Sequence, residues 1–525
     1  MALTRTTSFA AGKLPFEDLN SEMNNIVNYI NTRVLANPLT SNLDFADQWT
    51  IDNLRTFWNI RNVAEYASLA SAEASLPATG GFLLIPPNTT ISLSAAVTLS
   101  KDNTWIVGSG PSSIIQRASG TFTPVADTAI LMNGRLNCGI MNLQFDGQQL
   151  SNSLNTGFSP CHVKGASKGI YFGKLYVRRW GGSTDPLNER NDGFLIGENE
   201  STVPDGVFIF DSIFEDVRRN DVAVINGRNI FIDRNQMKHS SISSNAAVDI
   251  EENAIAGMRL QNLFVTRNQI GDVTLGSARH LYGIVVQATT SLGADASTSF
   301  SGAIVSDNHI VNCGDFGIMF NRWLDGSVLN NRIYRCGQTA ASAGIRVTNS
   351  QMLTISKNRI YEQGEGLAVA TGSDADGINV GLGDTVGQPN SKFISIEGNV
   401  IWKTARRGIG VSPTNAVAPS NIEINGNTIL EYSRRDSNSG DGIVVDANAT
   451  AVTDIDIRNN RVSMNGITPS GFTNPNGVRF TLGGGTITGV ILMGNNLRGS
   501  ALGSGSVVSG RTNVTNLEEG HNLEV

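Results

Sequence analysis

A six-residue phrase, apolar-x-x-Asn-x-apolar, recurs at nine spaced positions between Ile232 and Leu497 of this 525-residue chain. It reads IDRNQM at Ile232, VTRNQI at Val265, VSDNHI at Val305, VLNNRI at Val328 and ISKNRI at Ile355. It continues as IEGNVI at Ile396, INGNTI at Ile424, IRNNRV at Ile457 and LMGNNL at Leu492. The eight intervals from Asn235 to Asn495 cover 260 residues, a mean of 32.5, with single gaps from 23 to 41. Self-similarity at this period means stacked repeats, here with a constant corner and loops that vary coil by coil. Asn suits such a corner: it tolerates left-handed backbone angles, and its amide can bond the equivalent Asn one coil above and below. The pattern predicts an all-β, right-handed parallel β-helix of about 13 coils, near 60–65 Å long at strand spacing.

A second phrase, Gly followed by apolar-x-apolar, falls between successive Asn corners. It starts at Gly283, Gly317, Gly344, Gly377, Gly408, Gly442 and Gly477. Each reads as a turn opening a strand of alternating inward and outward residues. Cys313 and Cys336 each lie five residues past a corner Asn, which stacks them in adjacent coils as reduced neighbours. A leucine-rich repeat would need a regular spacing of about 20–29 residues and its own Leu signature.

Composition agrees with a solenoid. Charged residues make up 16% of the chain, against roughly 25% in ordinary domains. A net charge of −7 argues against a nucleic-acid partner. Four cysteines make no disulfide framework, the start has no signal-peptide core, and no apolar run reaches membrane-spanning length. Membrane insertion is therefore not expected. Residues 1–62 do not share the repeat. Phe16, Leu19, Met23, Ile26 and Ile30 follow a heptad there, predicting a helix for trimerisation or for docking on a larger assembly. The β-helix is expected over 63–505 with a capping helix at 65–76, leaving 506–525 as an end segment.

The stretch after Ile60 carries Leu76-Pro77, Gly80-Gly81, Pro86-Pro87 and Val107-Gly108-Ser109-Gly110 in sequence. This order resembles the start of the pectate-lyase-like β-helices of bacteriophage tailspikes. The resemblance implies a virion protein of the phage tail that binds, and in some members depolymerises, a bacterial surface polysaccharide. It also implies a homotrimer attached through residues 1–62 to other tail proteins, made in the host cytoplasm. The 27 residues from Gly499 are too few for the trimerising domain that often follows such a helix.

No familiar catalytic signature is present, and the five histidines are scattered through the sequence. No metal or cofactor is expected. Carboxylates remain, and glycoside hydrolysis runs on a pair of them. In AAVDIE, Val248 and Ile250 are expected inward, leaving Asp249 and Glu251 outward about 6.6 Å apart, a spacing that suits an inverting pair. This run resembles a Gly-x-Asp-Ile-Glu-Pro-Asn phrase of carbohydrate-active β-helices, with Ala247 at the Gly position and Glu252 at the Pro. Arg190-Asn191-Asp192 and Arg219-Asn220-Asp221 repeat 29 residues apart, which suggests that Asp192 and Asp221 share an edge. Asp192-Gly193 and Asn220-Asp221 also resemble the polygalacturonase aspartates, although that family's Gly-His-Gly and Arg-x-Lys motifs do not follow. The expected catalytic set is Asp249 and Glu251 with Asp221 assisting. The Gly-phrase register places Val285, Met319, Arg346 and Asn379 in the row of Asp249, and Gln287, Asn321 and Thr348 in that of Glu251. Gln287, Asn321, Arg346 and Asn379 are the expected substrate-binding groups. Arg406-Arg407 reads as a solvated face. A non-enzymatic tail fibre or adaptor and a free polysaccharide lyase or hydrolase are the competing readings.

Overall fold

The computed structural model describes residues 59–524 except 119–127, 149–158, 181–191, 199, 240–243, 252–257, 273–278, 289–299, 338–341, 365–374, 382–389, 414–418, 433–439, 449, 465–474 and 501–506. The heptad helix at Phe16–Ile30 lies outside these residues. Each full coil contributes one strand to each of three parallel sheets, for example Gly227–Asp233 to sheet I, Gln236–Lys238 to sheet II and Ser244–Glu251 to sheet III. Each strand pairs with its counterpart one coil on, giving sheets of 16, 13 and 14 strands among the described residues. One continuous apolar core runs down the inside from Val63 to Val508. Phe194, Phe320 and Phe480 lie within it, as their apolar rows predict.

The Asn residues turn the corner between sheets I and II. Asn358 shows the pattern. Its backbone N–H and its Nδ2 both donate to Asn399 Oδ1, at 2.9 and 3.0 Å, and Nδ2 also donates to the Val328 carbonyl at 2.8 Å. Its own Oδ1 accepts from the N–H and Nδ2 of Asn331, at 2.9 and 3.0 Å. The chain of amides is unbroken from Asn235 to Asn522. Within this chain of amides each N–H and one Nδ2 proton donate to the next coil toward the C-terminus, while the second Nδ2 proton donates to a carbonyl of the coil before.

The left-handed residue is not the ladder Asn but the one before it. Arg234, Arg267, Asp307, Asn330, Lys357 and Asn459 have φ between 55 and 58°, and Gly398, Gly426 and Gly494 fill the same slot at 62 to 66°. Asn is therefore selected for its side-chain bonds rather than for its backbone tolerance. The corner also extends further back than the Asn phrase shows. Leu143, Leu175 and Ser212 occupy it in earlier coils, with the backbone bond from Tyr176 to Leu143, from Ile213 to Leu175 and from Gln236 to Ser212. Asn522 closes the far end although Glu519 stands where the phrase needs an apolar residue.

At the N-terminal end the helix is shorter than expected, Leu69–Ala74 after a single 3₁₀ turn at Val63–Glu65. Tyr66 is extended between them, and Ser68 and Ser71 form a capping box that starts the helix at Leu69. The ladder of sheet I begins at Ile60–Asn62, which pairs with Gly81–Ile85, inside the segment assigned to the N-terminal unit. It ends at Val514–Gly520, one coil past the expected boundary at 505.

Cys313 and Cys336 are free, buried neighbours, joined by a thiol–thiol hydrogen bond that, with burial, holds the Cys313 thiol well above its usual range. Burial raises Cys161 likewise and pushes Cys138 up to about 11. All four thiols should resist a disulfide reagent at pH 8 and react only after denaturation, by colorimetric titration.

Asn358→Ala removes the acceptor of two buried donors and leaves the Val328 carbonyl and Asn399 Oδ1 each short of one donor. At about 1–3 kcal/mol per stranded buried group, a loss of roughly 3–5 kcal/mol is expected. The half-exposed Asn522 should cost about 1 kcal/mol or less when replaced by Ala, because shortening it opens the last corner to water. Denaturant midpoints of the two variants test the difference.

Candidate functional site

Sheet III is set apart by its connections. From the strand Gly139–Met141 onward the corner between sheets I and II takes two residues, as between Ser306 and His309, whereas Gln287 of sheet III and Phe300 of sheet I are separated by twelve. Long connections enter sheet III as well, as between Tyr361 and Ile378. Insertions on both sides of one flat face are the usual way a rigid scaffold carries a binding site.

The two outward rows have the predicted register. Asp249 aligns with Val285, Met319, Arg346 and Asn379, and Glu251 with Gln287, Asn321 and Thr348. Val248 and Ile250 enter the core. Asp249 is nevertheless covered, only 4% exposed, where the sequence suggested a solvated side chain. The cover is Asn220, whose Nδ2 donates to Asp249 Oδ2 at 3.1 Å while its N–H donates to Asp192 Oδ1 at 3.2 Å. Arg219 Nη1 pairs with Asp192 Oδ2 at 3.2 Å. Asp192, Asp249 and the half-buried Glu251 thus gather around Asn220 and Arg219.

Burial, then the neighbouring Glu251, drives the Asp249 carboxyl up to about 7, against the pull of Arg219. Burial brings Asp192 to about 6, again opposed first by Arg219. Next along the face, Tyr282 stacks on Phe316 with ring centres 5.7 Å apart, and the Arg346 guanidinium sits 5.0 Å from the Phe316 ring. Burial pushes the Tyr282 hydroxyl up, assisted by Asp315 and Asp249.

Other expected members have different surroundings. Asn379 is buried and donates to Asp376 Oδ2 at 2.7 Å, within a lower cluster that holds Arg407, Asp441 and Arg479. Arg407 is 3% exposed and donates its N–H to Asp376 at 3.2 Å, so it is not a solvated face. Gln287 and Asn321 remain half-exposed in the row beside the acids.

Asp221 is elsewhere. Phe194 aligns with Val222, so Asp192 aligns with Asn220 and the two Arg-Asn-Asp tripeptides are one residue out of step. A one-residue slip exchanges the faces of a strand. Asp221 therefore shares a row with Ala247 and Gly283 at the inner edge, away from Asp249. It is fully buried, and its Oδ2 lies 2.7 Å from His280 Nε2. His280 in turn lies 3.1 Å from His239, so histidines that look scattered in the sequence meet inside the fold. Burial pushes His280 down to about 3 and Asp221 up to about 7. The aromatic pair and the histidine cluster were not foreseen. Their only signal was position relative to the coil period, His239 four residues after Asn235 and His280 three before Gly283.

Residues 191–381, and in an overlapping match 278–412, fit the family model described as a right handed beta helix region. The chain is a right-handed parallel β-helix. No curated protein matches it. Solved structures with similar backbones include tailspike protein 3 of bacteriophage CBA120, with TM-score 0.47 and 12% identity over 98% of this chain and 69% of that one. The tailspike of E. coli bacteriophage HK620, solved with a pentasaccharide, gives 0.49 and 12% over 86% and 74%. The A-module of the Azotobacter vinelandii mannuronan C-5 epimerase AlgE4 gives 0.46 and 14% over 88% and 99%.

The raised carboxyls predict a pH-dependent stability with a definite sign. An Asp that titrates near 7 when folded and near 3.9 when unfolded binds more protons in the native state between those values. Its stabilisation is complete below about pH 4 and is lost as pH rises through 7, and Asp192 adds the same trend through about 6. Asp249→Asn should flatten this fall and stabilise the chain at pH 8 by on the order of 1 kcal/mol, read from denaturant midpoints at pH 5 and 8.

Proposed function

We propose that the outer face of sheet III binds a bacterial surface polysaccharide and hydrolyses it, with Asp249 as general acid and Glu251 as general base. The observation that carries this reading is a buried carboxyl, raised to about 7, beside a second, more accessible carboxyl on the same strand face. Asp249 would give its proton to the glycosidic oxygen. Glu251 would take one from a water that attacks the anomeric carbon from the opposite side, inverting its configuration. The stacked Tyr282 and Phe316 offer a flat apolar surface for a sugar ring, and Gln287, Asn321 and Arg346 supply groups for its hydroxyls. Asp192, Arg219 and Asn220 act as positioning residues for Asp249. Asp221, on the inner edge, has no part in this step.

In the finer reading the chain is the tailspike of a phage, a homotrimer fixed to the virion tail through residues 1–62. The motif order at Leu76–Gly110 supports it. A second reading, a non-enzymatic fibre or adaptor, has one observation in its favour: Asp249 Oδ2 and Asn379 Nδ2 are engaged by neighbours in the protein.

The purified chain incubated with surface polysaccharides of candidate hosts should generate reducing ends. Asp249→Asn and Glu251→Gln should each lower turnover about 10²-fold or more while leaving glycan binding within a few-fold. Activity should decline as pH rises through about 7, where Asp249 loses its proton. Full activity in both variants would remove the proposed acid and base. Binding without cleavage would leave a receptor-binding face, and neither would favour the fibre.

A further inference from the structure

Behind the acidic face, three side chains from three successive coils converge on one point. Asp221 comes from the strand Asn220–Val224, His239 follows Gln236–Lys238 in the next coil, and His280 opens the strand His280–Gln287 of the third. One donor atom from each falls within 4.8 Å of the other two. His280 Nε2 is 2.7 Å from Asp221 Oδ2 and 3.1 Å from His239 Nε2. Asp221 and His280 are 0% and 1% exposed, and Asp221 Oδ1 and His280 Nδ1 make no hydrogen bond.

Protons alone do not satisfy this arrangement. A ring nitrogen has a single in-plane site, which holds either one proton or one lone pair. If His280 Nε2 carries the proton, it serves Asp221 and offers no lone pair to His239. If it carries the lone pair, a protonated Asp221 and the N–H of His239 must both aim at it. Either way one close contact lacks a linear hydrogen bond, in a site closed to bulk solvent. A cation lying among the three donor atoms gives each of them a partner. Donor atoms bound to one ion at about 2.0–2.1 Å lie roughly 2.9–3.4 Å apart, close to the two separations seen here. Two imidazoles and a carboxylate are the donor set of zinc and its neighbours rather than of calcium or magnesium.

We propose that Asp221, His239 and His280 bind one divalent transition-metal ion of the zinc type, an internal staple across three coils of the β-helix. Asp216 Oδ1 lies 3.8 Å from His239 Nδ1, close to the ring nitrogen that faces away from the ion. The ion sits on the inner side of the strand whose outer side carries Asp249 and Glu251, and it ties that coil to those before and after it. The proposal does not depend on glycan cleavage.

The full-length, untagged chain, stripped with a chelator and returned to micromolar Zn²⁺, should retain about one zinc per chain after gel filtration, by plasma mass spectrometry. Co²⁺ in its place should give the visible absorption of a low-symmetry nitrogen–oxygen site. Asp221→Asn and His280→Gln should each weaken Zn²⁺ binding about 10²-fold or more, whereas His309→Gln, at an exposed position, should leave it unchanged. A wild-type chain that holds no zinc, or variants that keep wild-type affinity, would overturn the site. Should the substituted chains fail to fold, X-ray absorption of the wild-type zinc protein decides. Two imidazoles and a carboxylate oxygen are expected in the first shell, and a shell without imidazole refutes the assignment.

Discussion

A buried side-chain amide, bonded on both sides at each turn from Asn235 to Asn495, is the interaction on which most of the molecule depends. Parallel sheets fix strand spacing but do not by themselves fix where a coil bends. The Asn at each corner does, because its Oδ1 must meet two donors of the coil before and its Nδ2 a carbonyl of that same coil. Once the bend is fixed, the strands on either side inherit a register, and the register decides which residues are core. Leu143 and Leu175 hold the early corners by packing and backbone bonds, and Ser212, whose Oγ accepts from the Leu175 N–H while its own N–H donates to Asn235 Oδ1, marks the transition.

The same register places the chemistry. Alternation sends Val248 and Ile250 inward and Asp249 and Glu251 outward, while a single-residue offset sends Asp221 to the other side of the wall. Two adjacent, similar Asp residues thereby acquire unrelated surroundings: Asp192 meets a guanidinium and Asp221 a pair of imidazoles. Asp249 is costly to the fold at neutral pH, since its charged form is disfavoured by burial and by Glu251. A carboxyl kept near its proton at that cost is more informative about function than one already neutralised by an ion pair, such as Asp441 with Arg479.

Most of the fold was legible because the Asn phrase reports a physical contact repeated from coil to coil. The two outward rows followed from it, since counting from one glycine turn to the next preserves strand register. The cover over Asp249 was not legible, because Asn220 lies 29 residues away and its amide is directed there only by the fold. Tripeptide identity misled for Asp221, as the preceding loop shifts the register by one. The histidines were hidden by distance, His280 being 41 residues from His239 and 59 from Asp221. The conformation of the corner was misassigned for a different reason: the left-handed residue can be Arg, Asp, Asn, Lys or Gly, so it leaves no signature of its own.

The ladder also has a polarity, since each Asn turns its N–H and Nδ2 donors toward the coil that follows it in sequence. A chain emerging from the ribosome completes its coils in that order. Every finished coil then presents two oriented donors at the growing end, and the next Asn arrives with the carbonyl oxygen that fits both. The corner is in this sense a template read in the direction of translation, so a nascent rod can settle coil by coil before its C-terminal residues exist.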